Sequence, residues 1–423
     1  MALHLGMIDR RHVARFRCLL TLVAIVACGL TMDAQQDQAS FEINLPGPPF
    51  GVVASRDQEW IFVSFSKGSH GESPGIAVLR NREHHIEIVR TIPMARSPLG
   101  LVLTHDGDML IAAADDFVVF FDTKRLESGE KNPAFQWVSD GRKAGSIYAS
   151  VTADDKTLFV SDEWVKTITV IDLGRIRSFG RDSVANLTRV NSQDGASSAV
   201  IGKIPVGISP VALTFSNDPD QRWLFATSEV APPDWGWPRV LEPEGGKPGQ
   251  KKVPEGAVIL IDVAKAKVSP EDSVVARVPA GGSPVRLALS PDGGLLFVTA
   301  RNSNAVLVFN TAALIENPGD ARPTKIPVGS NPVPVILVDD GKLALIGNSN
   351  RYSSDAANNS TLTVLDTSRI GTDINPNIGS VRCGAFPRNF YLAADGRTLF
   401  LTNFRSSTLQ VIDVSRLLTI LEK

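Results

Sequence analysis

Six arginines and three tryptophans carry most of the chemistry available to this 423-residue chain. Arg96, Arg286 and Arg388 flank a proline that recurs along the sequence. Arg301, Arg351 and Arg405 each follow a short apolar run, beside Asn302, Asn350 and Phe404. Trp164 holds the matching position in the third copy of that pattern, and Trp235-Gly236-Trp237 sits inside a proline-rich insertion. A guanidinium presents N–H donors in a rigid fork that fits carboxylate or phosphate oxygens in pairs. Several of them around one opening could hold a small anion. The competing reading is that they pair with nearby acids or loop carbonyls. The tryptophans also read two ways, as pins that hold a loop to the surface or as the lip of a ligand or partner site.

Other reaction chemistries find less support. Past the leader, the histidines are His70, His84, His85 and His105. Neighbours such as His84 and His85 point to opposite faces of a strand and do not easily share a metal. No metal-binding histidine spacing, nucleophile elbow or phosphate loop is present. We expect neither a metal site nor a cofactor. Asp115-Asp116 and Asp339-Asp340 fall at tight turns. Asn186-Leu187-Thr188 fits a glycosylation sequon but is uninformative beside a leader of bacterial type.

The charge balance is close, with 43 basic against 45 acidic residues, and no basic stretch suggests nucleic-acid binding. Arg10, Arg11, Arg15 and Arg17 precede an apolar run from Cys18 to Leu30, too short for a membrane span and suited to a signal peptide. Cleavage after Ala34 is expected. Ile25-Val26-Ala27-Cys28 also fits a lipobox, which would place a lipid anchor on Cys28. Residues 1–34 therefore read as leader and 35–423 as one exported domain, periplasmic or at the cell surface. That domain keeps one cysteine, Cys383, which excludes an internal disulfide.

The elements that must position the arginines come from a repeat. Its clearest copy runs from Ser283-Pro284-Val285-Arg286 through Ser290-Pro291-Asp292-Gly293 to Phe297-Val298-Thr299. The proline slot and a turn aspartate recur together as Pro49/Asp57, Pro98/Asp106, Ser146/Asp154, Pro210/Asp218, Pro284/Asp292, Pro332/Asp340 and Pro387/Asp395. Such a period marks a repeat architecture. Each copy reads as four short strands with hairpin turns and no helical periodicity. Asp122, Asp172, Asp366 and Asp413, each followed three residues later by arginine, are placed to cap short helical turns. Seven four-stranded units predict an all-β, seven-bladed β-propeller. One unit cannot bury both faces of its sheet, so apolar layers between blades are expected.

The last copy has no room for a fourth strand after Asp413, while Phe41–Pro46 is a fourth-strand phrase with no blade before it. The N-terminal segment is therefore expected to complete blade seven beside Thr408–Asp413. The connections between fourth and first strands, and between second and third strands, share one face of the ring, here called the top. Three enlarged loops lie there, at 67–74, 229–256 and 349–360.

Ile-Pro-Val-Gly, Ser-Pro-Asp-Gly, Leu-Phe-Val-Thr and Val-x-Val-Ile-Asp phrases recur between residues 41 and 413. In them the chain resembles the YVTN-type repeat of YncE-like exported bacterial propellers. The Trp-Asp dipeptide of WD40 repeats is missing from the third strands. The resemblance implies a scaffold with varied roles and carries over little mechanism. On this reading the protein is a monomeric scaffold that binds a small anionic ligand or an envelope protein over the channel mouth. Sugar-lactone hydrolase and non-cofactor subunit of a quinoprotein dehydrogenase are the alternatives.

Overall fold

The computed structural model describes residues 39–82, 85–180, 197–237, 239–241, 252–353 and 360–421. Residues 1–38, His84, the sequon at Asn186 and the middle of the two larger top-face insertions lie outside these residues. Seven antiparallel sheets form the ring of a β-propeller. Six have four strands. The sheet of blade four has five, because Val240–Leu241 pairs with Val253 and Pro254 at the start of an elongated third strand. The sequence suggested only a loop there. Two residues are too few to leave a periodic signal, and this strand exists because its partner extends past the blade's edge.

The turn chemistry repeats as its residues dictate. In the hairpins joining first to second strands, a hydroxyl donates to the turn aspartate: Ser55 to Asp57, Thr104 to Asp106, Thr152 to Asp154, Ser216 to Asp218 and Ser290 to Asp292. On the same, bottom face the third strands end in caps. Asp122, Asp172, Asp262, Asn310, Asp366 and Asp413 each accept a backbone N–H from the short turn that follows. The predicted capping role is observed and extends to Asp262 and Asn310.

Seven apolar clusters fill the seven gaps between blades. Each takes side chains from two adjacent sheets. Phe62 and Phe121 meet between blades one and two, and Phe225 and Phe309 between blades four and five. Polar staples cross four of these gaps. Second-strand hydroxyls of Ser64, Ser161, Thr299 and Thr402 donate to carbonyls of Leu99, Val211, Val333 and Phe50 in the next blade, at 2.5 to 2.9 Å.

The ring closes as expected. Ser40–Asn44 pairs antiparallel with Thr408–Asp413, with Phe41 opposite Val411. Tyr391 also reaches across from blade seven to donate to the Ala54 carbonyl of blade one, at 3.0 Å.

Candidate anion-binding site

The inner strands begin at the proline slot, and the next residue faces the channel. Around the ring that position is Phe50, Leu99, Ile147, Val211, Val285, Val333 and Arg388. Six are apolar and one is charged. The following position reads Gly51, Gly100, Tyr148, Ala212, Arg286, Pro334 and Asn389, again with a single charge. In six blades the pairing register shifts here: the ladder passes from Pro284 to Arg286 in blade five and from Pro387 to Asn389 in blade seven, and blades one, three, four and six shift likewise. The residue that the ladder skips is the one directly after the proline slot, Val285 in blade five and Arg388 in blade seven, and a bulge re-aims that side chain at the channel mouth, with Arg286 paired beside it.

A cavity of about 150 Å³ opens at this mouth. Ile147, Val211, Val285 and Val333 form its apolar wall. Its polar lining is Arg286, Arg301, Arg351, Arg388, Glu163 and Glu229. Four of the six arginines singled out in the sequence thus converge on one well.

The four are not equivalent. Arg301 is held by Glu229 through two hydrogen bonds, Nη1 to Oε1 at 3.2 Å and Nη2 to Oε2 at 2.6 Å. Arg286 is 4 % exposed. Its guanidinium lies 4.9 Å from the ring centre of Tyr148 and 5.6 Å from that of Phe50. Its Nη1 donates to the carbonyl of Val285 at 2.9 Å, while Nε and Nη2 are buried without a hydrogen-bond partner. Arg388 stacks on Phe50 at 4.4 Å and faces Phe386 and Phe404 at 5.4 and 5.9 Å; its Nε is likewise unpartnered. Arg351 lies between Tyr352 and Phe386, 5.3 Å from each ring. Aromatic faces hold cations in place without neutralising them.

The electrostatics reflect this crowding. Burial, and then the charges of Arg286, Arg351 and Arg301, push the Arg388 guanidinium well below its usual range. Arg286 is lowered chiefly by burial, with Tyr148 and Glu229 acting in the other direction. Burial and the neighbouring Glu229 raise the carboxyl of Glu163, although Arg388, Arg301 and Arg286 oppose the shift.

Phe386 shows how the well is assembled. The residue before the proline slot has positive φ in blades four to seven: Ser209 at 51°, Ser283 at 51°, Asn331 at 52° and Phe386 at 58°. Small polar residues fit this left-handed region, whereas a phenylalanine there is strained by about 1–3 kcal/mol. Its ring faces Arg351, Arg388 and Arg405 and meets Phe404 at 5.5 Å.

The remaining residues suggested by the sequence lie around the well. Arg405 packs over Phe386 at 5.7 Å and donates to the Arg351 carbonyl at 2.7 Å, so it supports the rim. Arg96 stands 3.8 Å from Asp115 in a neighbouring groove of about 460 Å³ that also contains Trp164. Glu163 is common to that groove and the well. Trp164 is 63 % exposed and lies so close over Gly145 that a Cβ there would stand 2.9 Å from the indole. Trp235 and Trp237 are elsewhere. Their rings are 5.9 Å apart and pack on the layer between blades three and four, with Arg277 stacked 4.9 Å from Trp235. Both rings are partly buried there, and Trp237 also lines a separate cavity of about 570 Å³, away from the arginine well. Sequence reasoning missed Glu163, Glu229, Phe50, Tyr148 and Phe386. Aligning the seven copies column by column would have exposed the glutamates, because their slot reads Ser66, Asp115, Glu163, Glu229, Arg301, Ser349 and Phe404.

Among the described residues no helix is long and apolar enough to cross a membrane, and no cluster of histidine, cysteine and acidic side chains has the makings of a metal site. No family model and no curated protein matches the chain. A solved structure titled Kuenenia stuttgartiensis hydrazine synthase is similar, with a TM-score of 0.61 and 17 % sequence identity, covering 89 % of this chain and 97 % of that one. At that identity the likeness is one of fold, and it agrees with the seven sheets seen here: the chain is a seven-bladed β-propeller.

Proposed function

We propose that this chain is an exported propeller of the YVTN, YncE-like type that binds a small anionic ligand in the arginine well at its channel mouth. One observation carries the reading. Arg286 is almost fully buried, and two of its nitrogens, Nε and Nη2, have no partner although it lines a cavity. Such a group costs free energy unless something compensates it. Anion binding supplies the missing acceptors.

The test is thermal unfolding of the mature domain in a panel of sodium salts at fixed ionic strength. Binding anions should raise the midpoint, and the Arg388→Met variant should lose that response. A midpoint indifferent to every anion would overturn the reading. Export is a separate part of the proposal and rests on the leader. Protein recovered from the envelope fraction should begin at Gln35 or carry lipid on Cys28; recovery with Met1 intact would contradict it.

A second reading draws on Glu163, whose raised carboxyl suits a general base in a lactone hydrolase. The four arginines beside it favour holding an anion. Lactone turnover that disappears in Glu163→Gln would reverse that preference.

A further inference from the structure

We infer that the ligand of the arginine well is a compact dianion bridging Arg286 and Arg388, a conclusion that rests on the anion-binding reading above. Charge comes first. The lining has four guanidiniums and two carboxylates, an excess of two positive charges. Arg301 and Glu229 neutralise each other through their paired hydrogen bonds. A monoanion would leave one positive charge of the well unbalanced, and a dianion leaves none. Matched charge is what a desolvated site rewards.

Donor geometry follows. Arg286 and Arg388 are neighbours because both stack on Phe50, at 5.6 and 4.4 Å. Nε and Nη2 lie on one edge of a guanidinium and project parallel N–H bonds, the spacing that two oxygens of one carboxylate or phosphoryl group accept. In Arg286 both atoms of that edge lack a partner, and in Arg388 Nε does. Elsewhere in this protein the same edge is used: Arg397 grips Asp413 through Nε at 3.1 Å and Nη2 at 2.6 Å.

Size and repeat register complete the argument. The well's 150 Å³ equals the share of about five waters. That suits a sulfate- or phosphate-sized group or a short dicarboxylate. Both arginines occupy columns that carry no other charge in any blade. Fold maintenance therefore does not call for charge at either position.

Isothermal titration calorimetry of the mature domain at pH 7.5 and constant ionic strength tests this with matched pairs. Succinate is compared with succinamate, and sulfate with methyl sulfate. In each pair the size is similar and one charge is removed. At least one dianion should bind roughly tenfold or more tightly than its monoanionic partner. Preference for succinate identifies a dicarboxylate, and preference for sulfate a tetrahedral head group; either supports the inference. Monoanions that bind as well as their dianions would overturn it while leaving the anion site standing. If no anion binds, the underlying reading fails too. Arg286→Lys keeps the charge but loses the fork, and should weaken the dianion roughly ten- to a hundredfold with little change in the unfolding midpoint. Unchanged affinity in this variant and in Arg388→Gln would also overturn the inference.

Discussion

Arg388 and Phe386 sit side by side in conformations that a stability-optimised ring would avoid. One is a guanidinium crowded by three others, and the other a phenylalanine at φ 58°. Strain of this kind collects at functional sites. If Arg388 serves ligand binding, Arg388→Met should raise the unfolding midpoint of the ligand-free protein, since a half-buried charge crowded by three like charges gives way to an apolar side chain of similar length. We expect a gain of about 1–3 kcal/mol, read by urea unfolding. A loss of that size would assign Arg388 a structural role. Glu163 supplies the pH dependence. Its carboxyl titrates above the usual range, and protonation removes a negative charge from the well. Affinity for sulfate should therefore increase as pH falls through the Glu163 transition, and Glu163→Gln should flatten that profile. At this scale the sequence was informative about the arginines, because four of them lie where the repeat varies. It was silent about their supports: nothing local tells that Phe50, of blade one, will lie under arginines of blades five and seven.

Strands and turns were far more legible, because a hairpin is written locally. The turn aspartate, its hydroxyl donor and the cap at the end of the third strand all lie within one copy of the repeat. Less visible were the bulge beside the proline slot and the staples across blade gaps, both of which depend on a neighbouring strand. The staple from Thr402 to the Phe50 carbonyl joins the last blade to the first. Thr402→Val keeps the side-chain shape and leaves a buried carbonyl short of a donor, so it should destabilise by about 1–3 kcal/mol in denaturant unfolding. Asp413 sets an acid limit on the same blade. Hydrogen bonds and charge from Arg397 hold its carboxyl well below the usual range. Its contribution is complete above the unfolded-state pKa and is lost as pH falls through the lower folded value. Asp413→Asn should accordingly lose stability at neutral pH and show a shallower decline in acid.

The whole molecule is a ring whose two ends meet in one sheet. That was readable because the seventh copy lacked a strand and the first was preceded by a spare one. It could not have been read from either end alone. Leu409 and Val411 are buried beneath the N-terminal strand in the layer that also includes Leu45. Removing residues 35–46 should open that layer and lower the unfolding midpoint, and a synthetic peptide of residues 39–46 added in trans should restore much of it. A midpoint unaffected by the truncation would show that the clasp contributes little. The pairing of Ser40–Asn44 with Thr408–Asp413 also orders events in time. The ribosome makes the first of these strands some 360 residues before the second. Six blades can form while the chain grows, but the seventh waits until Thr408–Asp413 has been made, and until then the earliest strand has no partner and remains open to capture by a chaperone or by another nascent copy.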